Sequence, residues 1–285
     1  MAGRIEKTRR AISVLRNHRR VLVALSGGVD SAVRLAFARE ALGSDGVLAV
    51  TGRSAAVTEM EIADARRVAG LLGVRHEAVD TREIDRPGYK ANAGDRCFHC
   101  RSELFTVLLE LAAAQGLGAV AYGAIVDDLG DHRPGMDAAR RLGILAPLLD
   151  AGIGKNDVRE FAEQLNLHVH DKPSNACLAS RIPMGIEVTP ERLRQVGAAE
   201  SALRSLGFCV FRVRHHGEVA RLELGEGESD RLQEPVLRAA VVAAVRAAGF
   251  RFVTLDLADY RSGSLNGGEP NGRLYSIAPN RDKGQ

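Results

Sequence analysis

Short apolar runs alternate with longer amphipathic stretches through the first half of the chain. Val21–Leu25, Val47–Thr51, His76–Val79 and Ala119–Tyr122 have the length and apolar content of buried strands. Val57–Leu72 and Ser102–Gln115 between them carry the 3.6-residue period of helices. Residues 4–20, with Arg9, Arg10, Arg16, Arg19 and Arg20, read as a surface helix leading into the first strand. Strand alternating with helix predicts an α/β fold built on a doubly wound parallel sheet. Ligands of such sheets bind outside the carboxyl ends of the strands. Ser26–Ser31, Thr51–Ser54 and Gly123–Asp128 lie at those ends. After the apolar run Ile144–Leu149, Asn156 or Asp157 is expected to cap a further helix, Val158–Leu165.

The pattern then changes. Lys172–Gly185, rich in Pro, Ser and small residues, reads as a functional loop. Thr189-Pro190-Glu191 is a helix start that runs to about Leu206. Strands Phe208–Arg214 and Val219–Leu224 follow, then a long alanine-rich helix near 229–248 and a strand Phe252–Leu257. Four segments are expected: a nucleotide-binding domain over 1–171, a junction loop over 172–188, a small α+β domain over 189–261 and a flexible tail over 262–285. A chain of 285 residues suits about two domains.

Charge narrows the partners. A net charge of +3 gives no case for a protein that holds nucleic acid stably. The longest apolar runs fall short of a membrane span, and the basic N-terminus leads into no apolar signal core. A cytoplasmic enzyme without a membrane partner is expected.

The strand Val21–Leu25 runs directly into Ser26-Gly27-Gly28-Val29-Asp30-Ser31, and a helix leaves that turn. Backbone N–H groups at such a helix start cradle phosphate. Gly27 and Gly28 let the backbone approach an anion closely. Ser26 and Ser31 add hydroxyl donors, and Asp30 suits Mg2+ beside the phosphates. The G-x-x-x-x-G-K-[ST] loop is absent from the chain; the S-G-G-x-D-S form resembles the pyrophosphatase loop of enzymes that split ATP into AMP and pyrophosphate.

The four cysteines are Cys97, Cys100, Cys177 and Cys209. The C-x-x-C of Cys97 and Cys100 is open between half a zinc site, a redox pair, part of an iron–sulfur site, and a buried apolar pair. No second C-x-x-C exists to complete a zinc ribbon, and Cys177 is the best candidate third thiol. In its loop, near Arg181, Cys177 is expected to be accessible and to have a lowered pKa. Cys209 is expected to share the inward face of its strand with Phe211 and Val213. Arg212 and Arg214 on the other face suit a phosphate. Arg221 and Glu223 share a face of the next strand, and Glu223 with Asp230 is a candidate divalent site beside the alternative of salt bridges. His215-His216 after Arg214 is open between a phosphate or metal contact and plain surface, with plain surface the leading reading.

Together Ser26–Ser31, Asp127-Asp128-Leu129-Gly130-Asp131-His132-Arg133-Pro134-Gly135, Ala176-Cys177-Leu178-Ala179-Ser180-Arg181-Ile182-Pro183, Arg212-Val213-Arg214-His215 and Tyr260-Arg261-Ser262-Gly263-Ser264 resemble the ATP-dependent sulfur transferases of the LarE type. These belong to the PP-loop ATP pyrophosphatases, so the resemblance implies a HUP-like parallel sheet. It covers about residues 5 to 266. Gly123-Ala124-Ile125 departs from the pattern in lacking the Asn that often follows Gly-Thr, and Met184 stands where an aromatic is common.

The resemblance implies that a carboxylate of a pyridinium mononucleotide, the nickel-pincer nucleotide precursor, is adenylylated by ATP with release of pyrophosphate. AMP then leaves as a thiocarboxylate forms. In one branch the cysteine matching Cys177 is sacrificed; in another, cysteines matching Cys97, Cys100 and Cys177 hold a 4Fe–4S cluster that delivers an added sulfide. Having all three, the chain resembles the cluster branch. Further implications are ATP contacts at Ser26, Gly27, Gly28, Asp30, Ser31 and Arg53, and Mg2+ at Asp30. Substrate phosphate is assigned to Ser180, Arg181, Arg212 and Arg214, and an ancillary divalent ion to Glu200, Glu223 and Asp230. The implied partners are a small nucleotide substrate, a sulfur donor system and further copies of the chain, from dimer to hexamer. The rival readings are a tRNA thiolation enzyme, an amidating ligase like NAD synthetase, and a non-catalytic ATP-binding module.

Overall fold

The computed structural model describes residues 2–130, 134–170 and 176–261. Asp131–Arg133, most of the stretch expected as the start of the junction loop, and the expected tail from Ser262 lie outside the described residues. The elements run α1 (Ala2–Arg16), β1 (Val21–Ala24), α2 (Val29–Leu42), β2 (Val47–Arg53), α3 (Glu59–Leu71), β3 (Arg75–Asp80), α4 (Pro87–Ala91), α5 (Arg96–Ala114) and β4 (Ala119–Ala121). They continue through α6 (Pro134–Arg141), α7 (Pro147–Asp150), α8 (Lys155–Gln164), α9 (Pro190–Ser205), β5 (Phe211–His216), β6 (Val219–Leu224), α10 (Pro235–Ala247) and β7 (Phe252–Leu255).

The first four strands form a parallel sheet in the order β3-β2-β1-β4. Its residues divide by parity, as a pleat requires. Val21, Val23 and Ala49 join α1, α2, α3 and α8 in one core, while Leu22, Leu48, Val50 and Val120 join α5 and α6 in another. Both faces are covered, which is the doubly wound α/β arrangement the sequence predicts. A second, smaller sheet has the order β5-β6-β7, with β5 antiparallel and β7 parallel to β6. Phe211, Val213, Ala220, Leu222 and Leu224 meet α9 and α10 in a third core. That core extends under Leu178, Ala179 and Ile182 and takes in Ala56 and Tyr89 from the larger half.

Several boundaries depart from the sequence expectations for local reasons. Helix α1 is not simply a surface helix: Ala11, Ile12 and Leu15 are buried. Neither Asn156 nor Asp157 caps α8; Gly154 does, and Asp157 at the third position accepts from the Gly154 amide. The single helix expected near 229–248 is a 3-10 turn, Asp230–Gln233, followed by α10, which starts at Pro235. Proline fits a first helical turn and not a helix interior. Helix α5 begins at Arg96, so Cys97 stands on its first turn and Cys100 at the start of the second. Strand β5 begins at Phe211; Cys209 precedes it and is exposed, so its expected core role is wrong. His215 is also misjudged as surface: it is buried, with Nε2 3.0 Å from Gln195 Oε1 and its ring against Phe250.

Helix α3 carries a full capping box, with Thr58 accepting from the Glu61 amide and Glu61 accepting from the Thr58 amide. Thr58→Ala removes one half of it. We expect a loss of about 1 kcal/mol in urea unfolding, with the denaturant slope unchanged.

Candidate functional site

The turn after β1 is built from its own side chains. Gly27 adopts a φ of 72°, and a Cβ there would lie 2.8 Å from the Glu61 carbonyl oxygen of α3. Only glycine meets both demands. Ser31 Oγ donates to the Gly28 carbonyl at 2.8 Å and lies 3.2 Å from both the amide and the hydroxyl of Ser26. Gly28 is the N-cap of α2 and supplies no side-chain cap, and a helix start of this kind is the general setting in which backbone amides take an anion. Asp30 sits in that first turn. Arg53, at the end of β2, is exposed and engages Asp80 through two hydrogen bonds of 2.6 and 3.0 Å. Asp127 and Asp128 fold inward locally, accepting from the amides of Lys155 and Ile125.

The loop carrying Cys177 is stapled to the segment before the C-x-x-C. Asn92, in a left-handed conformation that asparagine tolerates, directs Nδ2 at the carbonyls of Pro183 and Ile186, at 2.8 and 3.0 Å. Arg96 donates to the Ala179 carbonyl at 2.8 Å and to Asn92 Oδ1 at 2.7 Å. The Leu178 amide bonds to the Ala56 carbonyl, and the Val188 amide to that of Lys90. Cys100 and Cys177 thereby pack against one hydrophobic core. Neither Asn92 nor Arg96 stands out in the sequence, although an Asn beside Ala and Gly is a left-handed-turn signal.

The three thiols feel one another. Burial is the main cause that raises the Cys100 pKa, and the charges of Cys177, Glu83 and Cys97 add to it. Burial likewise raises Cys177, with Cys97 adding; Arg96 and Arg181 pull the other way without prevailing. The lowered pKa expected for Cys177 is therefore wrong: loss of solvation outweighs the two cations. Beside the thiols, Tyr89 Oη and Glu83 Oε2 are buried with no hydrogen-bond partner among the described residues. Among the described residues, no three His, Cys, Asp or Glu side chains converge into a group that could hold a metal ion.

The candidate phosphate and carboxylate residues form one buried network. Arg181 Nε and Nη2 donate to Glu200 at 2.8 and 3.0 Å, and Glu200 also accepts from the Val213 amide. Arg181 Nη1 donates to Ser180 Oγ at 2.9 Å and to the Cys177 carbonyl at 3.1 Å. Arg214 bonds to Glu223 at 2.7 and 2.9 Å and to the Ser180 carbonyl at 3.1 Å. Arg221 joins Glu223 at 3.0 Å. Arg212 is half-buried, stacks on Tyr260 at 4.7 Å and has its pKa lowered, by burial first and then by Arg181. Glu200 and Glu223 face these arginines, while Asp230 is exposed and does not join them.

Comparison with known proteins decides the family. The NAD synthase family model matches residues 8–102. An uncharacterized protein of Synechocystis is 42% identical over 87% of this chain and 92% of its own length. The pyridinium-3,5-bisthiocarboxylic acid mononucleotide synthase of Lactiplantibacillus plantarum is 36% identical over 98% of this chain and all of its own. The chain belongs to the LarE family. This LarE-family protein is thus a PP-loop enzyme that uses ATP to transfer sulfur. A tRNA-specific 2-thiouridylase of Streptomyces avermitilis is 34% identical, but over only 55% of the chain and 52% of its own length. The LarE-type match also takes in the Cys177 loop and the small sheet. No helix among the described residues is long and apolar enough to cross a membrane.

Burial raises the Cys177 thiol in the resting LarE-family chain, so it should react slowly at neutral pH. Because only the thiolate reacts, its alkylation rate should keep rising past the ordinary thiol range of about 8.5. Exposed Cys209 should react faster at neutral pH. Asn92→Gly keeps the backbone conformation but deletes the staple. We expect it to cost about 2 kcal/mol and to speed alkylation of Cys177, read by mass spectrometry of labelled peptides.

Proposed function

We propose that this enzyme activates a carboxylate of a pyridinium mononucleotide with ATP and converts it to a thiocarboxylate. The observation that carries the reading is the coupling of two features in one chain. A phosphate-cradling turn of the PP-loop form ends β1, and three mutually interacting thiols sit beside a buried arginine network. The name of the L. plantarum relative supplies the substrate class.

Carboxylate oxygen is a poor leaving group. Attack of the carboxylate on the α-phosphorus of ATP forms an acyl–adenylate and expels pyrophosphate. The amides after Gly28, the hydroxyls of Ser26 and Ser31, and Mg2+ held by Asp30 are assigned to the charge that develops there. A sulfur nucleophile then attacks the acyl carbon; the C–S bond forms, the C–O bond to phosphorus breaks, and AMP departs with the electron pair. Arg53 is grouped with the ATP contacts and would have to leave Asp80 to serve. Half-buried Arg212 is the first choice for the substrate phosphate. Arg181, Arg214 and Ser180 position it and the Cys177 loop, and Glu200 and Glu223 act as their counter-charges rather than as ancillary metal ligands.

Cys97, Cys100 and Cys177 are proposed as the sulfur site; as they stand they form no ready-made metal-binding group among the described residues, so a 4Fe–4S cluster on these thiols would require the Cys177 loop and the start of α5 to draw together. Such a cluster, held by these three cysteines, would supply an iron with an open position for an added sulfide. Within the chain, Cys100 and Cys177 anchor the site to the third core, and Asn92 and Arg96 keep the two segments together. We further propose that residues 1–171 form the ATP-splitting unit, 172–188 the junction, 189–261 the substrate and assembly unit and 262–285 a flexible tail. A cytoplasmic homo-oligomer served by a sulfur donor system completes the proposal.

Asp30→Ala should abolish pyrophosphate release from ATP with the fold intact by circular dichroism. Cys177→Ala should keep pyrophosphate release and lose thiocarboxylate formation. Iron and acid-labile sulfide in the anaerobically purified chain should fall in Cys97→Ala, Cys100→Ala and Cys177→Ala alike. Release of ADP and orthophosphate would refute the activation step. Full sulfur transfer by iron-free protein would leave Cys177 as the sole sulfur source.

A further inference from the structure

The buried guanidinium of Arg34 stands apart from every role assigned above. Arg34 lies in the second turn of α2 and is 1% exposed. Its Nη2 donates to the carbonyl of Ala24, the last residue of β1. Its Nε and Nη1 are buried and have no hydrogen-bond partner among the described residues. Nη1 abuts Gly123, just beyond β4, where a Cβ would collide with it. In the order β3-β2-β1-β4, the chain leaves β1 for β2 on one side, and β4 flanks it on the other. The gap between the carboxyl ends of β1 and β4 is therefore the topological switch point, where open α/β sheets take their ligands. Arg34 reaches both of its edges.

Charges of both signs surround the guanidinium. Burial pushes the Arg34 guanidinium down to about 9, Arg101 adds repulsion, and Asp30 and Tyr122 pull the other way. Arg101 itself lies over the Tyr122 ring at 5.4 Å. Two guanidinium donors left unsatisfied inside a protein are costly. An aliphatic side chain on α2 would avoid that cost, and such local costs persist where a site uses them.

We propose that Arg34 is a nucleotide-binding residue whose Nε and Nη1 take a phosphate oxygen of ATP at the β1–β4 switch point, behind the turn Ser26–Ser31. Gly123 covers Nη1, so access requires the segment after β4 to yield or the guanidinium to turn toward the crevice. The inference rests on the ATP reading of that turn.

The test compares the wild-type chain with Arg34→Met and Arg34→Lys by thermal melting with and without ATP·Mg2+, and by pyrophosphate release. Without ligand, Arg34→Met should melt at the wild-type temperature or above it. Its ATP-induced rise in melting temperature should be lost, and its KM for ATP should increase at least about tenfold. Arg34→Lys, with one point charge in place of a fork, should fall between. Should Arg34→Met fail to fold, the nitrogen-15 Nε–H signal of Arg34 in the wild-type chain still reports: it should shift on ATP·Mg2+ addition. An unchanged ATP response in the variants, or an unmoved Nε–H signal, overturns the inference while leaving the turn intact as the ATP site. A variant that responds normally to ATP but loses its response to nicotinate, used as a carboxylate probe, also overturns it. No ATP response in the wild-type chain overturns the ATP reading first and this inference with it.

Discussion

Glu200 is the side chain on which the arrangement around Cys177 depends. Its buried carboxylate binds Arg181 through two hydrogen bonds and the Val213 amide through a third. One anion thus joins α9, the turn after Cys177 and β5. Arg181 passes the constraint on, holding the Cys177 carbonyl and the Ser180 hydroxyl. Burying such a pair recovers little net stability, because desolvation offsets much of the attraction. Removing one partner is far worse, since it strands a charge in the core. The network therefore specifies a geometry more than it stabilises the fold. Glu223 repeats the device with Arg214 and Arg221, so the two carboxylates fix three arginines, Arg181, Arg214 and Arg221, around the small sheet, with half-buried Arg212 beside them.

Most of the parallel sheet was legible because its signals are local. Short apolar runs, the glycine turn after Val21–Leu25, and Thr189-Pro190 at a helix start each depend on a few neighbouring residues. The failures came where tertiary context decides. Cys209 alternates correctly with Phe211 and Val213, yet the strand starts after it and leaves it exposed. His215 reads as surface by its position at a strand end, but Gln195 and Phe250 enclose it. Cys177 near Arg181 suggested an activated thiol. Burial outweighs the cation there, and burial cannot be read from a loop's composition.

The residues missed altogether are those that act through long-range contacts. Asn92 and Arg96 bind carbonyls more than eighty residues away, and nothing in their local sequence names those partners. Arg34 did leave a trace, as a charged residue inside the otherwise apolar stretch Ala32–Ala38. Tyr89 and Glu83 are harder still, because an unpaired buried hydroxyl or carboxylate oxygen is visible only once the surroundings are built.

Those unpaired atoms connect the packing to the chemistry. Native interiors satisfy nearly all buried polar groups, so exceptions in one chain call for a physical reason. Among the described residues four such atoms come from three side chains, and they gather at two places: Arg34 near the carboxyl ends of β1 and β4, and Tyr89 with Glu83 beside the thiols. On the proposed chemistry these are the two places where a group foreign to the chain must sit, a nucleotide phosphate and a transferable sulfur. A hydrophobic residue at either place would pack more cheaply but offer the incoming group no donor. The resting fold carries its unsatisfied polar atoms beside its candidate ligands, while the Glu200 and Glu223 networks, fully engaged, keep the intervening loop in register.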